Sequence, residues 1–342
     1  MTDTSPIISV CIANYNGMEV IDDCLRSVLE QEGRIPVEIL VHDDASSDGS
    51  AAYIRSRYPD VKLIESSENV GFCVANNRMV AAAKGKYLLL LNNDAALYPD
   101  ALQTLLIEAE RLDQPAILGL PQFDAETGEL LDIGSLLDPF LNPVPNMNPH
   151  RGEVGLVMGA CLWMSTTLWD ELGGFPEWFG SIGEDLYLCC RARLAGHSVR
   201  VVADSGFRHW VGQSFGGGKV TTEQRLVTTL KRRTLTERNK TYTLIITYPT
   251  LLFAFLFPLH LILLHLEGLL LAVLKRNISL WHIIYAPLLP TLWGERRHLF
   301  ALRKLVQSSR KITLAHFLGP FRCWPWKLEM LWRHGLPEVR HN

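Results

Sequence analysis

Residues 7–14 (IISVCIAN) begin a series of short apolar, β-branched stretches that end abruptly in polar side chains, the pattern of strands buried on both faces. Between these stretches the apolar positions recur every three or four residues, as they do on one face of a helix. The alternation predicts a helix over 19–31 with Val20, Cys24, Val28 and Leu29 on one face, a strand at 37–42 (VEILVH) and a helix near 50–57. It continues with a strand near 61–65, a helix near 72–83, the strand 86–91, a helix near 100–112 and a strand near 116–120. Strands and helices alternating through short loops imply an α/β fold with a doubly wound, mostly parallel sheet. Residues 121–152 break the rhythm with five prolines and read as a long surface excursion, either ordered around a substrate or a plain insertion. Order returns at 154–165 (VGLVMGACLWMS), followed by a helix near 184–195 and strands near 198–202 and 206–210.

From residue 225 the pattern changes. RLVTTLKRRTLTERNK reads as a basic helix, and residues 244–264 contain no Asp, Glu, Lys or Arg. That length matches the roughly 20 residues of a membrane-spanning helix. Pro249 and Pro258 interrupt the stretch and basic clusters flank both ends, so no orientation follows from charge. The expectation is a hairpin dipping into one leaflet, or helices lying in the interface; a true span and a core helix are the alternatives.

Charge sharpens this division. Residues 225–342 carry 18 Lys and Arg against 5 Asp and Glu, a net +13, whereas residues 1–224 hold 15 against 31, a net −16. Two parts are therefore expected, 1–224 and 225–342, the second facing an anionic membrane surface. No nucleic-acid partner is expected, and a homo-oligomer stays open. Seven cysteines without metal-ligand spacing suggest free thiols, and the N-terminus shows no basic and apolar leader. Both point to the cytoplasmic face of the inner (plasma) membrane, with peripheral or re-entrant attachment.

Acids and amides gather at the predicted strand ends: Asp43 and Asp44, then Asn92, Asn93 and Asp94 in YLLLLNNDA. Turn and cap geometry would account for such residues, but the carboxyl ends of strands are also where open α/β sheets place ligands. Glu184 and Asp185 open a helix, where capping alone is a sufficient reason for them. His209 closes a short strand, and glycines 216–218 after it suggest a flap or a flexible loop. A carboxylate, an amide oxygen and an imidazole together suit a divalent cation such as Mg²⁺ or Mn²⁺. No GxxxxGK[ST] loop, GxGxxG turn, HExxH or CxxC occurs, which removes the usual ATPase, dinucleotide and zinc fingerprints.

Taken in order, the segments SVCIANYNG, VHDDASSDGS, ENVGFCVANNRMV, LLLLNNDAALYPD, GACLWMSTTLWDELGGFPEWF, GEDLYLCCRARLAGHSV and HWVGQSFG resemble glycosyltransferase family 2, in its rhamnosyltransferase-like branch that builds bacterial surface polysaccharides. The resemblance implies the GT-A fold over 1–224, with 225–342 as a helical membrane-associated extension. It implies a metal-dependent, inverting transfer of a hexosyl or deoxyhexosyl group from a nucleotide-diphosphate sugar, of UDP or dTDP type, to a hydroxyl of a lipid-linked or growing glycan. By position, Asn14, Asp43, Asp44, Asn69, Gly71, Asn76 and Asn93 would serve the nucleotide. Asp94, Asn92 and His209 would hold Mn²⁺ or Mg²⁺, and Asp185, with Glu184 beside it, would deprotonate the acceptor. Two departures stand out. Asn92 is neutral where the motif has its first acid, and Pro176 replaces the acid of a G-G-F-D-E segment, removing a carboxylate and an N–H. A polyprenyl-phosphate acceptor and an inactive membrane-bound scaffold are the competing readings.

Overall fold

The computed structural model describes residues 5–210, 217–220 and 225–340. Residues 211–216, most of the HWVGQSFG segment and Gly216 with it, lie outside the described residues. The chain runs β1 (Ile8–Asn14), α1 (Ile21–Leu29), β2 (Val37–Asp43), α2 (Ser50–Arg57), β3 (Lys62–Glu65), α3 (Phe72–Ala82), β4 (Tyr87–Asn92), β5 (Ala95–Leu97) and α4 (Ala101–Arg111). Next come β6 (Ala116–Gly119), β7 (Gln122–Asp124), β8 (Leu130–Asp132), β9 (Ser135–Leu137), β10 (Pro143–Pro145), β11 (Cys161–Ser165), α5 (Thr166–Leu172) and α6 (Glu184–Leu194). Then follow β12 (Ser198–Val201), β13 (Phe207–His209), β14 (Gly217–Val220), β15 (Leu226–Thr229), α7 (Leu230–Thr247), α8 (Thr250–Leu274), α9 (Leu288–Ser308), α10 (Leu314–Phe317), α11 (Trp326–His334) and β16 (Glu338–Arg340).

Two compact units emerge. The first comprises Met1–Ser135, Pro145–Ala192 and His197–Val211; the second takes Leu136–Val144, Arg193–Gly196 and Gly212–Asn342. In the first, a seven-stranded sheet has the order β12-β6-β11-β4-β1-β2-β3, parallel throughout except for β11, which runs against both neighbours. Leu88–Leu91 are buried in its central strand β4, which is why that strand is apolar on both faces. Ile12, Val41, Leu89 and Trp163 continue the same core. A smaller sheet, β5-β13-β7-β8, carries the chain away from β4. The second unit holds a three-stranded sheet, β14-β15-β16, and the helices α7 to α11 around Tyr248, Tyr285 and Phe317. There Arg303 caps the carboxyl end of α7, donating to Ile245 O at 2.6 Å and Tyr248 O at 2.7 Å.

Three expectations need correcting. Residues 121–152 are not a surface excursion: they form β7 to β10, and Leu136, Leu137, Leu141 and Val144 are buried. The first helix buries Ile21, Cys24, Leu25 and Val28, while Leu29 is 57% exposed. Its buried stripe therefore takes in Ile21 and Leu25 in place of Val20 and Leu29. Pro249 does separate two helices, but Pro258 sits inside an unbroken 25-residue α8. That helix is long and apolar enough to cross a membrane by length and composition.

Candidate active site

Parallel pairing brings the carboxyl ends of β1, β2 and β4 level, with Asn14 opposite Asp43 and Ala13 opposite Asn92. Asn14 is wholly buried there. Its Nδ2 donates to Asp43 Oδ1 at 2.8 Å and to Ser50 Oγ at 2.9 Å, and its Oδ1 accepts from Asn93 Nδ2 at 3.0 Å. Ser46 N donates to Asp43 Oδ2 at 3.0 Å, so both oxygens of this buried carboxylate are engaged. The loops after β1 and β2 are stitched together by Ser47 N to Asn16 Oδ1 (2.9 Å) and Met18 N to Asp48 Oδ2 (2.8 Å). Asn16 and Ala45 hold positive φ in these loops, the kind of backbone strain that gathers at ligand sites. Gly17 completes the corner. A Cβ there would lie 2.3 Å from both Asn14 Oδ1 and Asn93 Nδ2, so only glycine lets the loop close over the pair.

The other nucleotide expectations separate from this corner. Asp44 accepts from Val70 N at 2.7 Å and Gly71 N at 2.9 Å, an anion held by backbone N–H groups at the start of α3. Gly71 has φ +89° and approaches Gly180 O so closely that a Cβ would stand 3.0 Å from it. Asn76 is buried and donates to Phe72 O, one turn back in its own helix. Asn69 is exposed. Its neighbour in sequence pattern, Asn77, does more: it donates to Phe175 O and accepts from Phe175 N, clamping the segment that carries Pro176. Pro176 itself is the N-cap of the short helical turn Glu177–Phe179, where its N–H would have no partner within the turn.

Beyond β4 the chain enters β5, and β13 pairs with it antiparallel, His209 opposite Ala95. That register sets His209 Nε2 3.1 Å from Asp94 Oδ1, both groups buried. The other ring nitrogen, Nδ1, meets Gln122 Nε2 at 3.1 Å. With Gln122 donating, His209 carries its proton on Nε2 and donates to Asp94; with the amide turned over, Nδ1 is the donor and Nε2 is bare. Behind the pair, Gln122, Asp132, Met158, Cys161 and Phe207 help to line a cavity of about 10 Å³. Asn92 ends β4 with its Oδ1 buried and without a hydrogen-bond partner. Cys24 donates to Asn92 O at 3.4 Å, and burial, then Asp94 and Asp23, hold its thiol well above the usual range.

Glu184 and Asp185 begin α6 after Ile182 and Gly183, both with positive φ. Asp185 Oδ2 accepts from Gly159 N at 2.9 Å and Oδ1 from Leu186 N at 2.7 Å, which fixes the carboxylate. Cys73, at the start of α3, has its thiol pushed up by burial and by Glu184, Asp185 and Glu177 nearby.

A divalent cation can be tested against these side chains. Ligands on adjacent corners of an octahedral ion, each at about 2.1 Å, stand roughly 3 Å apart, which the Asp94–His209 separation matches. Two residues before Asp94, Asn92 offers a neutral Oδ1 that is buried and has no hydrogen-bond partner. The residues fit, though as a sparse set. Among the described residues no group of three or more His, Cys, Asp and Glu gathers to hold a metal. Sequence reasoning reached Asp94, His209 and Asn92; it missed Gln122, Cys24, Gly17 and Asn77, of which only the glycine beside Asn16 carried a local signal.

Comparison with known proteins agrees with this fold. The pattern of Glycosyl transferase family 2 matches residues 9–140, and that of Glycosyl transferase family group 2 matches residues 87–294. The chain belongs to glycosyltransferase family 2. The Mycobacterium tuberculosis protein MT1568 is 39% identical over 113 residues, 33% of this chain and 34% of that one, so the chain spans about a third of this relative. N-acetylglucosaminyl-diphospho-decaprenol L-rhamnosyltransferase of the same organism is 25% identical over 247 residues, 63% of this chain and 79% of that one. Among solved structures, the mannosyltransferase PcManGT of Pyrobaculum calidifontis in complex with GDP-Man and Mn²⁺ has a TM-score of 0.53 at 17% identity, covering 89% of this chain and 86% of that one. TarS 1–349 of S. aureus in complex with UDP has a TM-score of 0.52 at 15% identity, covering 88% and 90%. The fold is GT-A, a mostly parallel sheet with flanking helices.

Proposed function

We propose that the protein is an inverting glycosyltransferase that moves a hexosyl or deoxyhexosyl group from a nucleotide-diphosphate sugar to a hydroxyl of a lipid-linked or growing glycan. The observation that carries this reading is the buried Asp94–His209 pair, 3.1 Å apart, at the same sheet edge as the Asn14–Asp43–Asn93 corner. The corner offers a buried carboxylate and amides of the kind that grip a nucleoside. Asp94 and His209, with Asn92 as a further ligand, would hold Mn²⁺ or Mg²⁺, which would supply charge stabilisation for the departing diphosphate. Asp185 takes the proton of the acceptor hydroxyl on one of its carboxylate oxygens, the Gly159 and Leu186 N–H groups keeping that carboxylate oriented. No covalent nucleophile is required, because one displacement from the face opposite the leaving group inverts the anomeric carbon.

The rhamnosyltransferase relative, by its name, acts on a sugar already linked through diphosphate to a lipid. That supports a lipid-linked saccharide acceptor over a bare polyprenyl phosphate. Asp185→Asn tests the assignment. Nucleotide binding measured by calorimetry with UDP and Mn²⁺ should be retained, while transfer to a lipid-linked oligosaccharide should fall by a factor on the order of 10²–10⁴. Turnover near that of the parent would remove Asp185 from the role of base. Absence of nucleotide binding in the parent protein would favour an inactive scaffold.

A further inference from the structure

The polarity of α8 is inside out. Leu251, Phe255, Ile262, Leu266, Leu269 and Val273 recur at intervals of three, four or seven residues and are 43–77% exposed, with Phe255 the most open. The opposite face is buried and holds the polar groups. His260 Nε2 meets Thr241 Oγ1 at 2.8 Å, and Glu267 pairs with Arg233 and with Lys327 Nζ at 2.8 Å. These join a wider set in which the buried Glu237 meets the buried Lys240 at 2.8 Å and the half-buried Lys327 at 2.6 Å. At Gly268 a Cβ would stand 2.5 Å from the Tyr285 ring, so the inner face is also closely packed. Six such side chains expose on the order of 700 Å² of continuous apolar surface, more than a soluble monomer ordinarily shows.

We propose that α8 is an interfacial helix, lying along one leaflet of an anionic bilayer with its outer face in lipid and its inner face anchored to α7 and α11. This deepens the reading of a lipid-linked acceptor and is independent of the sugar chemistry. Crossing the bilayer would require α8 to leave its ion pairs, or to draw α7 and α11, with their charges, into hydrocarbon; neither is affordable. Charge selects lipid over a second copy of the chain as the occupant of the face. Lys275, Arg276, Arg297 and Lys304 are exposed on α9 and just beyond α8, and the +13 of residues 225–342 repels a copy of itself while it attracts anionic headgroups. Trp293, 70% exposed with Arg296 4.2 Å over its ring, and Trp332, 86% exposed, are side chains suited to a headgroup boundary.

The test uses the full chain with Cys323→Ser and single cysteines at Leu251, Ile262 or Val273, each spin-labelled and bound to vesicles of phosphatidylglycerol and phosphatidylethanolamine. Power saturation against oxygen and a nickel chelate reports depth. The expected result is three similar, shallow depths of about 5–10 Å. A deep central label between two shallow ends would mean a span and overturn the proposal. Flotation with these vesicles should be lost in the Phe255→Glu, Ile262→Glu double variant, whose circular dichroism, melting and UDP binding stay as in the parent. A parent chain that does not float, or one that light scattering shows as a dimer returned to monomer by the double variant, overturns it as well. UDP binding is read separately, so loss of the nucleotide reading and loss of the membrane reading are distinguishable.

Discussion

Asp132 sits behind the His209 pair, and its protonation is the property most open to measurement. The residue is 8% exposed and accepts from Ser135 Oγ at 2.6 Å and Asn146 N at 3.0 Å. Burial outweighs those bonds, and the carboxyl pKa is pushed up to about 6. An aspartate in an unfolded chain titrates at about 3.9. Between the two values the folded protein holds a proton that the unfolded chain releases, so stability falls as pH rises from about 4 to about 6 and is flat above. A gap of about two units, at roughly 1.4 kcal/mol each, is on the order of 3 kcal/mol. Asp132→Asn keeps a polar group of the same shape and removes the titration. Thermal unfolding of the α/β unit, followed by near-ultraviolet circular dichroism from pH 4.5 to 8, compares the two proteins. Relative to the variant, the parent should lose on the order of 5–10 °C over the lower half of that range. Melting temperatures that run parallel at all pH values would refute the argument that burial dominates this carboxyl.

Three further outcomes are expected. Gly17→Ala drives a methyl into the Asn14–Asn93 hydrogen bond, and calorimetry with UDP should show weakened binding by about tenfold or more, with melting lowered by a few degrees. Asn92→Asp adds a charge beside Asp94, and titration with Mn²⁺ should reveal tighter binding; unchanged affinity would separate Asn92 from the cation. Gln122→Leu leaves His209 Nδ1 without its partner and should weaken Mn²⁺ binding by about 10–100-fold, whereas Gln122→Glu, which can still accept from Nδ1, should restore much of it.

Much of the first unit was legible because its physics is local. Strand and helix periods fixed the alternation, and a parallel sheet puts Asp43 and Asp94 at one edge wherever their strands fall in the order. The prolines of 121–152 misled, since proline usually excludes a strand. Pro143 and Pro145 occupy exposed alternate positions around buried Val144, where a short two-stranded ladder tolerates a missing N–H. Pro258 misled in the same way: it lies on the exposed side of α8, and packing on the other side keeps the helix continuous. Gln122 and Cys24 were out of reach for another reason. Their roles depend on β13 pairing with β7 and on α1 lying beneath the end of β4, contacts that no sequence period records.

The pairing of β13 with β5 also has a consequence in time. Asp94 and His209 are separated by 115 positions, whereas every strand of the seven-stranded sheet precedes residue 202. During synthesis from the N-terminus the sheet can therefore close before the imidazole has emerged. The nascent protein would possess the Asn14–Asp43–Asn93 corner before it possesses the carboxylate–imidazole pair, so, under the proposed mechanism, a chain interrupted near residue 205 would fold its scaffold and remain chemically silent.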